Sequence, residues 1–288
     1  MNRALRGICS SAGVLLHPVG RLCGPMVRSL REESRYANGL VLVLPGIEGQ
    51  SLMNHSIACG LCDGGVTGAI EIYDWTTGLW PLLIYHLRGQ RRHARQARLI
   101  ANRIAEYQAA WPGRPVHLVG HSGGAAMALL ALEQLPAGRQ AKSAVLLAPA
   151  TSPEADLTTA LANVEQGVWN YYSPLDFLIL GAGTMLLGTF DGKHQVASGA
   201  RGFIKPPRLT EEGNRLYQEK LFQVPYRASM ALQFHWGGHA GCTNRVFVAE
   251  EIAPLLRLGT ARPAFSLGRA EQRVECGDGR VALEGASA

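Results

Sequence analysis

A serine framed by glycines, Gly120-His121-Ser122-Gly123-Gly124, follows the aliphatic run Val116 to Val119 and precedes small residues at helical spacing, Ala125, Ala126, Ala128, Leu129 and Leu132. That order predicts a strand, a sharp turn and a helix with the hydroxyl at the apex. So tight a turn demands strained backbone, and side chains two positions either side of the serine would collide, which Gly120 and Gly124 avoid. A serine hydroxyl is a weak nucleophile, so chemistry here needs a base for its proton, an acid to orient that base, and N–H donors for the oxyanion. Ser122 is the only serine in the chain flanked in this way. The non-catalytic alternative is a glycine-rich turn capped by serine.

At these residues the sequence resembles the α/β-hydrolase family, whose nucleophile elbow has this pattern. The resemblance spans residues 36 to 258 and implies an α/β fold: a mostly parallel central sheet, helices on both faces, a small lid-like insertion with the entrance at about residues 150–230, and the chain order nucleophile, acid, histidine. It implies an acid in a loop beyond a strand after the nucleophile. Val168 to Ser173 reads as such a strand, and Pro174-Leu175-Asp176 follows it. Asp176 is therefore the expected acid, with Asp191 and Asp156 as alternatives; otherwise Asp176 caps a helix from Phe177. The resemblance also places the histidine in a loop after the last strand, where Trp236-Gly237-Gly238-His239 stands. His239 is the expected base and His235 its competitor, while His121 is expected to pack under the turn. The oxyanion donors implied are the amide of Gly123 and one from the loop after the first strand. Pro45 has no N–H, so Ile47 is the expected second donor. Glu48 is odd in that loop: a carboxylate aimed at the hole would repel the developing charge, so it is expected to point away.

The elements that must hold these groups follow in chain order. Gly39 to Leu44 is a continuous apolar run, as buried parallel strands show. Ser51 to Asp63 reads as a helix closed by Gly64-Gly65, and Ala69 to Trp75 as a strand with Asp74 as a loop cap. Five arginines (88, 91, 92, 95, 98) begin an amphipathic helix whose core face is Ala97, Ile100, Ile104, Tyr107 and Trp111, ended by Pro112-Gly113. This basic face is expected to be solvated, with anionic lipid or an acidic partner as the alternative. Ala144 to Pro149 is a further strand. Leu178 to Phe190, nearly all apolar, is expected to be a core helix, or else a greasy wall over the site. Residues 200–227 read as a surface excursion with a short helix at the entrance. Leu232 to Phe234 reads as strand-like, and Val246 to Leu256 as a helix capped by Thr243 or Asn244.

Composition fits one large domain: 288 residues, 47% hydrophobic and 17% charged, with no dividing linker and no repeat. Of the formal charge of +6, residues 1–35 carry +4, so the body is nearly neutral and a nucleic-acid footprint is not expected. The basic segment 1–35 reads as a flexible or peripherally packed leader, and 259–288, without periodicity, as a tail that need not order. Cys59-Gly60-Leu61-Cys62 has no second pair to complete a zinc site, and the two thiols are expected simply to share a helix face.

Together these features lead to the expectation of a carboxyl-ester hydrolase of esterase or lipase type with an acyl-enzyme on Ser122, an acyl ester as its small-molecule partner, and no metal or organic cofactor. A thioesterase, amidase or acyltransferase of the same fold, or a non-catalytic binding protein, are the alternatives. Peripheral membrane contact and a cytoplasmic location are further expectations, with export or membrane association through the basic amino terminus as the alternative.

Overall fold

The computed structural model describes residues 2–16 and 27–257. Six strands, β1 (Leu40–Leu44), β2 (Ala69–Ile72), β3 (Val116–His121), β4 (Ala141–Leu147), β5 (Val164–Tyr172) and β6 (Leu221–Pro225), form one sheet in the order β2-β1-β3-β4-β5-β6. Every pairing is parallel. Parallel strands need crossovers, and the crossover helices cover both faces, so strand residues are buried on either side. Along β1, Leu40, Leu42 and Leu44 enter one core with Ile100, Ile104 and Tyr107 of the helix Gln90–Ala110 and Met127 and Leu132 of the helix Gly123–Glu133. Val41 and Val43 enter the other, with Ile57 and Leu61 of the helix Leu52–Asp63 and Phe247 and Ile252 near the carboxyl end. This two-residue period explains why the run is apolar throughout.

Strand order reverses between β1 and β3, because β2 lies on one side of β1 and β3 on the other. Loops leaving such a reversal part to opposite faces and open a crevice at the carboxyl ends of the strands. The loop after β1 and the serine after β3 sit at that crevice.

Three stretches differ from the sequence expectation. Residues 200–227 are more than a surface excursion: they hold the helix Glu211–Lys220 and the sixth strand. Strand β6 is an edge strand, only half-buried, with Gln223 and Pro225 in it, so no apolar run announces it. Leu232 to Phe234 is no strand, since Ala228–Gln233 is a 3-10 helix that ends at Phe234 with φ 64°, and His235 lies in the loop beyond. Leu178 to Phe190 is not a core helix. A π-helix, Phe177–Gly183, runs into a helical turn, Thr184–Leu187, and only Leu180, Gly181, Thr184 and the residues from Gly188 are buried.

Near the amino terminus the helix Arg3–Gly13 packs onto the body. Asn244 Nδ2 donates to Gly7 O (3.0 Å), Arg245 N to Ser10 Oγ (3.0 Å), and Arg3 pairs with Glu250 at 2.8 Å. Residues 259–288 lie outside the described residues. The helix expected at the carboxyl end is present from Arg245 to Arg257 with a π-helical turn, and Asn244 is its cap, its Oδ1 accepting from Val246 N at 2.9 Å. Among the described residues no helix is long and apolar enough to cross a membrane.

Candidate active site

Ser122 stands between β3 and the helix Gly123–Glu133 with φ 55° and ψ −119°, a conformation that side chains rarely adopt. Neighbouring interactions hold it there: Ser122 N donates to Leu147 O (2.9 Å), while its carbonyl accepts from Ala125 N and Ala150 N. The glycines do what the sterics require. A Cβ on Gly120 would lie 2.5 Å from Gly124 O, and one on Gly124 only 2.1 Å from Leu44 O. The helix can therefore start against the end of β1 only if both positions lack side chains.

Beyond β5, Asp176 is buried, with its N–H bonded to Ser173 O. His239 Nδ1 meets Asp176 Oδ2 at 2.6 Å, a contact across 63 residues. Because the carboxylate only accepts, this bond places the proton on Nδ1 and leaves Nε2 as the lone-pair nitrogen. The back of the same loop is held by His121, whose Nε2 donates to His239 O at 3.1 Å and whose ring lies 4.8 Å from the His239 ring. Complete burial, helped by the nearby charge of His239, pushes the His121 imidazole down to about 3, so it stays neutral and packs rather than titrates. His235 is also buried, between Tyr226 and Phe247, and its Nδ1 accepts from Gly237 N (3.3 Å). It supports the loop, and burial lowers it to about 4.

His121, the chain neighbour of Ser122, touches the His239 loop, and among the described residues no hydrogen bond joins the Ser122 hydroxyl to His239. Such bonds are often long until substrate is bound. Asp191, the alternative acid, is committed elsewhere: its carboxylate accepts from Ser152 N (2.8 Å), Ser152 Oγ and Thr189 Oγ1 (2.7 Å), which hold it below the usual carboxylate range despite partial burial. Asp156 is taken up locally, its Oδ1 accepting from Thr158 N (2.9 Å) and Thr158 Oγ1 (2.6 Å). Asp74 is a loop cap, bonded to Gln50 N and to Thr76.

The loop after β1 lies against the elbow. A Cβ on Gly123 would be 2.9 Å from Ile47 Cγ2 and 3.5 Å from Ile47 N, so the backbones of the two expected oxyanion donors are neighbours. Two residues without any sequence signal hold this loop. Trp75 Nε1 donates to Pro45 O (2.7 Å), and His86 Nδ1 donates to Ile47 O (2.8 Å). The carbonyl fixes the His86 tautomer, so Nε2 accepts from Thr77 N (3.2 Å). Beneath them His93 stacks on Phe190 with ring centroids 3.8 Å apart, and Trp75 meets Phe190 edge-on. In the sequence His86 and His93 are lone histidines in a basic stretch, and only the fold shows what they face.

Glu48 does not swing out to solvent. Its carboxyl folds back over Gly46, where a Cβ would lie 2.2 Å from Oε2, and its Oε1 is enclosed without a hydrogen-bond partner. Burial pushes this carboxyl up to about 7, against the backbone amide of Glu48, the charge of His239 and the amide of Gly46, all of which lower it. Cys59 and Cys62 are free thiols on one helix, and among the described residues no group of three His, Cys, Asp or Glu side chains is placed to hold a metal ion.

Comparison with protein families gives a match to a family model described as the alpha/beta hydrolase family, over residues 33–278. Comparison with curated proteins gives no match. Among solved structures, the chain is similar to a poly(3-hydroxybutyrate) depolymerase from Bordetella parapertussis, at 17% identity and TM-score 0.45, covering 79% of this chain and 83% of that one. It is also similar to a dienelactone hydrolase-like promiscuous phosphotriesterase from metagenomic libraries, at 14% identity and TM-score 0.41, covering 76% and 85%.

Proposed function

Because the chain belongs to the alpha/beta hydrolase family, we propose that it is a serine hydrolase that cleaves carboxylic esters through an acyl-enzyme on Ser122. The observation that carries this reading is the 2.6 Å bond from buried Asp176 to His239, on a loop that His121 ties to the elbow. Asp176 keeps the proton on Nδ1 and stabilises the imidazolium when it forms. His239 Nε2 takes the Ser122 proton as Oγ attacks the carbonyl carbon. The amides of Gly123 and Ile47 receive the oxyanion, each worth about 3 kcal/mol of barrier because the charge exists only in the transition state. His239 returns the proton to the departing alcohol, then activates the water that releases the acid. Ile47 and Phe190, which flank Gly123, give the site an apolar wall and favour an acyl group there.

The test is labelling with a fluorophosphonate, together with turnover of p-nitrophenyl esters of rising chain length. The wild-type protein should be labelled stoichiometrically and hydrolyse at least part of the series, and Ser122→Ala should lose both. A folded wild-type protein that neither labels nor turns over any ester would sink the proposal.

A further inference from the structure

The rim around this site is greasy and cationic at once. In the stretch Phe177–Leu187, Leu178 is 79% and Leu186 77% exposed, with Ile179 also exposed. Ile84 and Tyr85 stand out from the helix Leu83–Arg88, and Trp236, 65% exposed, from the His239 loop. These groups adjoin one another. Arg88 Nε donates to Leu187 O (3.0 Å) and Gln90 Nε2 to Phe190 O (2.7 Å), while a Cβ on Gly237 would lie 2.7 Å from Leu175 Cδ1. Next to them Arg91, Arg95 and Arg98 are exposed at a spacing of four and three residues, one stripe on the helix Gln90–Ala110. No acidic residue lies between Asp74 and Glu106, and residues 177–190 carry no charge at all.

We infer that this rim is a docking surface for an anionic lipid membrane, with the side chains of Leu178, Leu186 and Trp236 entering the acyl boundary and Arg88, Arg91 and Arg95 meeting the headgroups. A fluid lipid boundary accepts separately protruding apolar side chains without needing a matching shape, and the arginines supply the second signal that stable attachment requires. A second copy of the chain fits poorly, because a two-fold contact through this face would bring the two arginine stripes together. The inference does not depend on the hydrolase reading, since Ser122→Ala should dock as the wild type does.

The experiment is co-sedimentation of the full chain with vesicles of phosphatidylcholine alone and of phosphatidylcholine with phosphatidylglycerol. Binding is expected to the anionic vesicles, to weaken with salt, and to be much weaker to the zwitterionic ones. Arg91→Gln with Arg95→Gln should reduce partitioning about twenty-five-fold, at about fivefold per arginine. Leu178→Asp with Leu186→Asp should reduce it at least about tenfold. Near-UV circular dichroism identical to wild type shows that each variant is folded. No binding to anionic vesicles, or undiminished binding by the folded Leu178→Asp, Leu186→Asp variant, overturns the inference. So does a concentration-dependent dimer that this variant dissociates, which would assign the face to a second copy.

Discussion

Replacing Glu48 by glutamine should stabilise the protein increasingly as the pH rises. The carboxyl has an ordinary value of 4.5 and is raised by burial to about 7, with Oε1 enclosed and unpartnered. The unfolded chain therefore gives up this proton at a lower pH than the folded one, and stability drains away as the pH climbs from 4.5 through 7. At about 1.4 kcal/mol per pH unit, the loss amounts to about 3 kcal/mol when complete, of which about 2 kcal/mol develops between about pH 5.5 and pH 8. Glutamine keeps the shape and removes the charge. Its own buried amide adds an offset of either sign, but one that does not vary with pH. The measurement is urea unfolding of both proteins at several pH values, with the difference in unfolding free energy plotted against pH. That difference isolates Glu48 from the buried histidines, which titrate in both proteins alike. A difference that stays flat across the range refutes the reasoning, because a carboxyl that ionises equally in both states is not enclosed over Gly46.

Three further outcomes are expected. Asp176→Asn should leave fold and substrate affinity near wild type but lower kcat by about 10⁴, since the amide holds the wrong imidazole tautomer; a kcat within tenfold of wild type would place the acid elsewhere. His117, buried on β3 with Nδ1 2.7 Å from Ser143 Oγ, and His235 are held neutral by burial at about 4, and His121 at about 3, all below the ordinary 6.5, so the unfolded chain binds more protons below that pH and stability is lost as the pH falls from 6.5 towards these values. Unfolding at about pH 5 should accordingly take up close to three protons from these groups, measurable from the pH slope of urea midpoints. Gly124→Ala should cost about 1–3 kcal/mol and remove fluorophosphonate labelling, because its Cβ meets the carbonyl of Leu44 at 2.1 Å; thermal melts and labelling report the two effects separately.

Local patterns in the sequence carry the elbow and most of the layers. The β-rich run into Gly120-His121-Ser122-Gly123-Gly124 allows few backbones, and apolar runs such as Leu40–Leu44 demand burial on both faces. Asp176 and His239 were pointed to by the resemblance to the α/β-hydrolase family, which left Asp191, Asp156 and His235 as alternatives, and the fold brings these two together at 2.6 Å. What the chain order could not show is what a side chain meets across the crevice. The support of the loop after β1 by Trp75 and His86, and the enclosure of Glu48, arise from contacts between segments about 30 or more residues apart or from a local fold-back that composition does not encode. Strand β6 was hidden because an edge strand need not be apolar, and the run Leu178 to Phe190 misled because hydrophobicity requires burial only where a partner surface exists. Sequence determines which segments can be strands, turns and helices, since that chemistry is local. Tertiary structure alone decides which side chains face the serine and which are left on the rim, because both depend on the distances between segments after packing.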